Sequence, residues 1–205
     1  MRLVAWMEPL FRDREAAGVV LAEAVAELAL DHPIVVGVAR GGVAVAAEVA
    51  RELEAPLTGL DVERVNARGL RLGAVTTTGP PYLHGVGEEE VAAVVERARR
   101  AAAALEARLE HEPLSVAGRT TVVVDDGLIT GFTLSAACRW ARAGGASRLV
   151  AATPVGRLDG LERLRAETDE FVCPNRLEDI AVVGQAYHVF DPLDEWYVGS
   201  LLAGG

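Results

Sequence analysis

A chain of 205 residues that is 51% hydrophobic and 24% charged can bury the core of one domain, which excludes disorder for the bulk of it. Its net charge of −10 excludes a general electrostatic footprint for nucleic acid, and no run approaches the roughly 18 apolar residues of a membrane span. All 20 basic residues are arginine, so a Walker-A lysine and a Schiff-base or pyridoxal-phosphate lysine are excluded too. The opening stretch carries Arg2, Glu8, Arg12, Asp13 and Arg14 with no apolar h-region, which predicts no signal peptide. Cys138 and Cys173 are too few for a disulfide framework and sit in largely apolar segments, so core thiols of a cytoplasmic protein are expected. Two Asn, one Gln, two Met and two Cys suit either a heat-adapted source or GC-rich coding.

Helix and strand signals alternate along the chain. Residues 13–30 predict a helix with Leu21, Val25 and Leu28 on one face. Residues 33–38 form a continuous apolar run, the pattern of a strand buried on both faces. Val43, Ala46, Ala47, Ala50 and Leu53 then fall at helical spacing, followed by a weaker strand over 57–62. Residues 64–90 are polar and broken by Gly79-Pro80-Pro81, Gly85 and Gly87, which predicts a mobile arm or subdomain rather than a boundary. A helix over 88–110 opens on Glu88, Glu89 and Glu90, at the positive end of its dipole. Its apolar face is Val91, Val94, Val95, Ala98, Ala102, Leu105 and Leu109, and Arg97, Arg99 and Arg100 are expected on its solvated face.

Residues 120–124 predict a second buried strand, 132–143 a helix stopped by Gly144-Gly145, and 149–153 another strand. A short helix near 158–167, the run Phe171-Val172-Cys173 and a last apolar run at 180–183 complete the order. Strands separated by helices imply an α/β fold, doubly wound around a mainly parallel sheet, in one domain spanning 1–205.

The chemistry concentrates where the strand at 120–124 ends in Asp125-Asp126. A loop, Gly127-Leu128-Ile129-Thr130-Gly131-Phe132-Thr133, then runs into a helix. Ligands of open α/β sheets bind at the carboxyl ends of strands. A loop closing on a helix N-terminus offers free N–H groups and a partial positive charge, an anion site that needs no lysine. Adjacent carboxylates suit neighbouring hydroxyls, so phosphate on the loop and a vicinal diol on the acids would suit a ribose 5-phosphate.

This stretch resembles the phosphoribosyl pyrophosphate (PRPP) signature of type I phosphoribosyltransferases: an apolar strand, two acids, three further residues and a Thr-Gly-x-Thr turn. Val36-Gly37-Val38-Ala39-Arg40-Gly41-Gly42 is similar to the family's pyrophosphate loop, where the glycines admit backbone N–H groups and Arg40 can fork two phosphate oxygens. Phe11-Arg12-Asp13-Arg14 with Ala17-Gly18, and Val182-Val183-Gly184 with Tyr187 and Phe190, resemble a bacterial subgroup of these enzymes.

The resemblance implies Mg²⁺-dependent transfer of a 5-phosphoribosyl group from PRPP to a nitrogenous base or related acceptor, with release of pyrophosphate. It implies Asp125 and Asp126 as catalytic, holding the ribose hydroxyls. The metal would arrive with PRPP, and the same two acids are the candidates to share it. Gly127, Leu128, Ile129, Thr130, Gly131, Phe132 and Thr133 would bind the 5-phosphate, and Ala39, Arg40, Gly41, Gly42 and Arg64 the pyrophosphate. A hood over about 171–205 would cover the base, with Val183 and Tyr187 as base-facing or as core positions. Homodimers are common among relatives, and residues 193–202 suit either a partner surface or a closing helix. Two positions depart from the family pattern. Ile129 stands where hypoxanthine-guanine enzymes carry an acid, and Arg64-Val65 where the subgroup tends to have Arg-Lys. A non-catalytic sensor of PRPP or nucleotide, or hydrolysis of a phosphoribosyl compound, are the competing readings.

Other patterns exclude alternatives. His32, His84, His111 and His188 lack metal-ligand spacing, and neither G-x-G-x-x-G nor G-x-S-x-G occurs. Trp6, Trp140 and Trp196 are expected to pack rather than to form a stacking platform.

Overall fold

The computed structural model describes residues 8–108 and 114–204; Trp6, Leu109 and His111 lie outside them. Helix α1 (Arg14–Ala26) starts where Asp13 caps it, accepting from the Ala16 N–H at 2.9 Å. It stops short of residue 30 because Ala29 and His32 take positive φ in the turn into β1 (Ile34–Val38). Strand β1 feeds α2 (Ala39–Glu52), and β2 (Leu57–Leu60) follows.

The strand expected over 57–62 divides at Asp61. Beyond it the chain leaves the main sheet and forms β3 (Val62–Ala67), β4 (Leu70–Thr76) and β5 (Tyr82–Leu83), an antiparallel sheet ordered β3-β4-β5. This stretch is a packed layer. Val65 and Val75 bury against Val91, Val95 and Ala98 of α3 (Glu88–Arg108), while Val62, Ala74 and Tyr82 join the main core. The solvated face expected for the α3 arginines holds for Arg97 and Arg100. Arg99 instead turns inward, and its Nη1 donates to the carbonyls of Thr76 at 3.0 Å and Thr77 at 3.2 Å.

The remaining elements are β6 (Thr120–Val124), α4 (Phe132–Ala143), β7 (Arg148–Ala152), β8 (Val155–Arg157), α5 (Leu158–Leu164), β9 (Glu170–Val172), β10 (Asn175–Leu177), a 3₁₀ turn (Val183–Ala186) and α6 (Glu195–Ala203). The main sheet is entirely parallel, in the order β2-β1-β6-β7-β9. Alternate residues of its strands face opposite layers. Ile34, Val36, Val123, Leu149 and Ala151 pack toward Leu134, Ala137 and Cys138 of α4. Val35, Val122, Val124 and Val150 pack toward Leu21, Val25, Val45 and Val49 of α1 and α2. Full burial of each such side chain contributes about 1.5–3 kcal/mol, which explains the unbroken apolar runs.

Val198 and Leu202 of α6 bury in the second layer, so residues 193–202 do include a closing helix. Trp140 packs on the core, whereas Trp196 is 81% exposed and departs from the packing expected of it. Cys138 and Cys173 are buried free thiols. Strands β8 and β10, the 3₁₀ turn and the segment around Phe11 enclose a separate cluster built on Val155, Ile180, Ala186 and Tyr187.

Gly37 lies in the middle of β1, and a Cβ there would stand 2.6 Å from the Cα of Val43. Helix α2 rests on the strand at that point. Gly37→Ala should therefore lower stability by about 1–3 kcal/mol through overpacking, read as a lower urea midpoint with an unchanged m-value.

Candidate active site

Strand β1 leads through α2 to β2 on one side of the sheet, and β6 leads through α4 to β7 on the other. The chain order thus reverses between β1 and β6, and a crevice opens beyond their carboxyl ends. A cavity of about 730 Å³ occupies it.

The floor comes from the loop after β6. Gly131 has φ 78° and caps α4 with no side-chain hydrogen bond, so the first N–H groups of α4 remain available. Gly127, Leu128, Ile129, Thr130, Gly131 and Thr133 all line the cavity. Phe132 can contribute only its backbone there, because its ring is buried 5.5 Å from the ring of Tyr82. The loop is pinned to β8 by two hydrogen bonds, Leu128 N–H to Val155 O at 3.0 Å and Arg157 N–H to Leu128 O at 2.8 Å.

Helix α2 brings a second N-terminus, also without a side-chain cap. Gly41 and Gly42 make this approach possible. A Cβ at Gly42 would stand 2.7 Å from Val124 O, and one at Gly41 would run into the Asp126 carboxylate. Ala39 begins the helix and Gly41 lines the cavity. Arg40 does not reach the cavity wall; its Nη2 lies 3.3 Å from Glu195 Oε1 on α6.

Asp125 and Asp126 sit between these two helix ends. Burial pushes the Asp125 carboxyl well above the usual carboxylate range, and the adjacent Asp126 charge adds to this. Burial also raises Asp126, against the opposing pull of an ion pair with Arg14. Arg14 Nε donates to Asp126 Oδ2 at 2.8 Å. The sequence motifs place Arg14 within a family resemblance but not within the site. One signal for it exists in the sequence: a cation in the first turn of a helix is unfavourable to the dipole and calls for a partner.

The cavity wall across from the acids carries Arg64 of β3 and Arg71 of β4, neither in an ion pair among the described residues. Burial and the Arg64 charge both lower the pKa of Arg71. Arg71 is a second site residue that the motifs miss, since the hairpin that carries it has no clear strand pattern. On the hood side, Ala181, Val182, Val183, Gly184 and Phe190 line the cavity. Tyr187, the other expected base-facing position, lies behind this wall at 4% exposure.

A parallel sheet with two uncapped helix ends and an acid pair at its switch point is the framework of an anion-binding α/β protein. Residues 14–191 match the family model described as the phosphoribosyl transferase domain, and the chain belongs to that family. It is 37% identical over 193 residues to "Putative phosphoribosyl transferase Rv0571c" of Mycobacterium tuberculosis, covering 88% of this chain and 44% of that protein. The chain thus spans less than half the length of this relative. The fold superposes on TT1426 from Thermus thermophilus with a TM-score of 0.83 at 35% identity, covering 95% of this chain and 98% of that one. A purine phosphoribosyltransferase from Pyrococcus horikoshii shares the fold alone, with a TM-score of 0.51 at 21% identity over 92% of this chain and 99% of that one. The family resemblance drawn from residues 36–42 and 121–133 is borne out, as is the doubly wound α/β fold.

Proposed function

We propose that the protein transfers the 5-phosphoribosyl group of PRPP to a nitrogenous base or related amine and releases pyrophosphate. The observation that carries this reading is the convergence of two uncapped helix N-termini on one acid pair in a single cavity. An acid pair flanked by two helix ends suits a ligand with an anion at each end and hydroxyls between. In this reading residues 127–133 bind the 5-phosphate, Asp125 and Asp126 accept from the ribose hydroxyls, and the first turn of α2 with Arg64 holds the departing pyrophosphate. Arg40 joins them on leaving Glu195. Charge develops at the anomeric carbon as the leaving group departs, so the contribution of these groups is positioning and electrostatic stabilisation.

No group of three or more His, Cys, Asp or Glu among the described residues is arranged to cage a metal. The two aspartates alone fit a hard cation whose remaining oxygens come from a diphosphate. Mg²⁺ held this way would neutralise the leaving group. Ile129, at the cavity wall, cannot take a proton from the acceptor. That supports an acceptor able to lose its proton without a side chain at position 129, and it is also the observation that favours a PRPP sensor as the second reading.

Calorimetric titration of PRPP with Mg²⁺ tests the proposal. The wild type should bind and the Asp125→Asn/Asp126→Asn variant should not. A panel of bases and amines, scored for pyrophosphate, should then show release with at least one. Binding without release for any acceptor would establish the sensor; absence of PRPP binding would remove both readings.

A further inference from the structure

We propose that Arg14 is a positioning residue: it fixes the Asp126 carboxylate in one orientation toward the sugar hydroxyls, from a side chain clamped by the hood. This rests on the sugar-phosphate reading of the cavity given above.

The two aspartates are not equivalent. Asp126 is gripped at two points. Its Oδ2 accepts from Arg14 Nε at 2.8 Å, with the two side chains only 11% and 15% exposed, and its carbonyl accepts from the Tyr187 hydroxyl at 2.5 Å. Both grips share one support. The Arg14 guanidinium lies 3.8 Å from the centroid of the Phe190 ring, and Phe190 stacks on Tyr187 with centroids 4.9 Å apart. A second Arg14 donor, Nη1, reaches Asp191 O at 3.0 Å. The planar fork is thus fixed by a carboxylate, a carbonyl and a ring at once.

Asp125 has no such anchor. Its Oδ1 accepts from the Asp126 N–H at 2.9 Å, and no ion pair holds it among the described residues. The backbone at Gly41 closes over the fixed pair. A Cβ there would meet Asp126 Oδ2 and stand 3.1 Å from Arg14 Nε, so the pair fits only because residue 41 is glycine. One oxygen of Asp126 is committed to Arg14, and both aspartates line the cavity, Asp125 without an ion pair among the described residues. The hood segment therefore sets acid geometry as well as covering the site. Phe190 carries Arg14 over its ring and Tyr187 stacked on it, so it is the clamp that the two grips share.

The test compares ribose 5-phosphate, its 2-deoxy and 3-deoxy analogues, and inorganic phosphate, titrated into wild type, Arg14→Met and Arg14→Lys. Wild type should prefer ribose 5-phosphate over at least one deoxy analogue. Arg14→Met should lose that preference and bind ribose 5-phosphate about 30-fold or more weakly, as removal of one partner from a buried charge pair does. Its affinity for inorganic phosphate should stay within about threefold of wild type, because that anion is held by the loop. Arg14→Lys should recover part of the preference, restoring the charge without the fork. An Arg14→Met variant that keeps the preference would overturn the role of Arg14. So would equal losses for phosphate and ribose 5-phosphate, which would make Arg14 merely structural. Wild type that binds none of the sugar phosphates would overturn the sugar-phosphate reading itself and this role with it, a result distinct from the first two.

Discussion

Asp125→Asn should make the protein more stable and its ligand binding weaker. The carboxylate is buried, lies beside Asp126 and has no ion pair among the described residues. Asparagine has nearly the same shape, and its amide oxygen can still accept from the Asp126 N–H. What the substitution removes is a desolvated charge and its repulsion with a neighbouring one. A gain of about 1–3 kcal/mol at neutral pH is the scale of such a penalty. The sign of the pH dependence follows from the raised folded pKa. Below the unfolded value, about 3.9, both states are protonated and the folded state holds its full advantage. As pH rises through the folded pKa, the buried group must ionise and that stability is lost. Asp61, raised to about 6 mainly by burial and next by Glu106, contributes in the same direction between about 4 and 6. Urea denaturation of the wild type should therefore show stability falling as pH rises from about 4, a fall that Asp125→Asn and Asp61→Asn each reduce. Loss of a charged acceptor for a hydroxyl should weaken ribose 5-phosphate binding by about 10- to 150-fold. A variant that is both less stable and unimpaired in binding would show that Asp125 serves the fold.

The main sheet was legible because a strand buried on both faces leaves an unbroken apolar run. Residues 34–38, 122–124 and 149–152 each show one, and each lies in a central strand. The antiparallel layer was not legible, because its strands are short and its turns are dense in glycine and proline. Its buried residues, Val62, Val65, Ala74 and Val75, serve two different clusters and show no period of two, and Arg64, Asn66, Arg68 and Arg71 between them dominate the composition. The backbone of the site was legible for a different reason. Tight anion loops need glycine at fixed steps, and those steps survive as a local pattern in Gly41-Gly42 and in Gly127 to Thr133. Arg14 and Phe190 come to that site from opposite ends of the chain, joined by the pairing of Phe11 with Tyr187. No local pattern encodes a contact 112 residues apart. The negative net charge did not disclose the anion site either, since that site is made by helix ends, with Arg14, Arg64 and Arg71 offsetting Glu63, Asp125 and Asp126 around the cavity.

The other large effect is expected at Gly131. Its φ of 78° is a conformation that a β-branched side chain avoids, and a Cβ there would stand 2.7 Å from the Gly160 carbonyl oxygen. The obstacle is backbone, so no side chain can swing aside. Gly160 faces the same constraint from the other direction, since a Cβ on it would run into Ile129 O. The loop before α4 and the first turn of α5 thus meet backbone to backbone. Gly131→Val should add left-handed strain of about 1–2 kcal/mol to overpacking of about 1–3 kcal/mol, so a loss of about 2–5 kcal/mol by urea denaturation is expected. Relief would come by moving the loop, which carries the free N–H groups of α4 away from their common focus. A displacement of about 1 Å is enough for a loss on the order of 100-fold in a positioned site, so inorganic phosphate binding should fall by a similar factor. Gly69→Val separates the two causes. Gly69 has a φ of 75° in the turn between β3 and β4, and a Cβ there would meet nothing within 4 Å. That variant should show only the backbone strain, about 1–2 kcal/mol, with phosphate binding intact. If the two variants lose equal stability, the contact with Gly160 is not what fixes the loop. If Gly131→Val binds phosphate as the wild type does, the anion is not held by the N-terminus of α4.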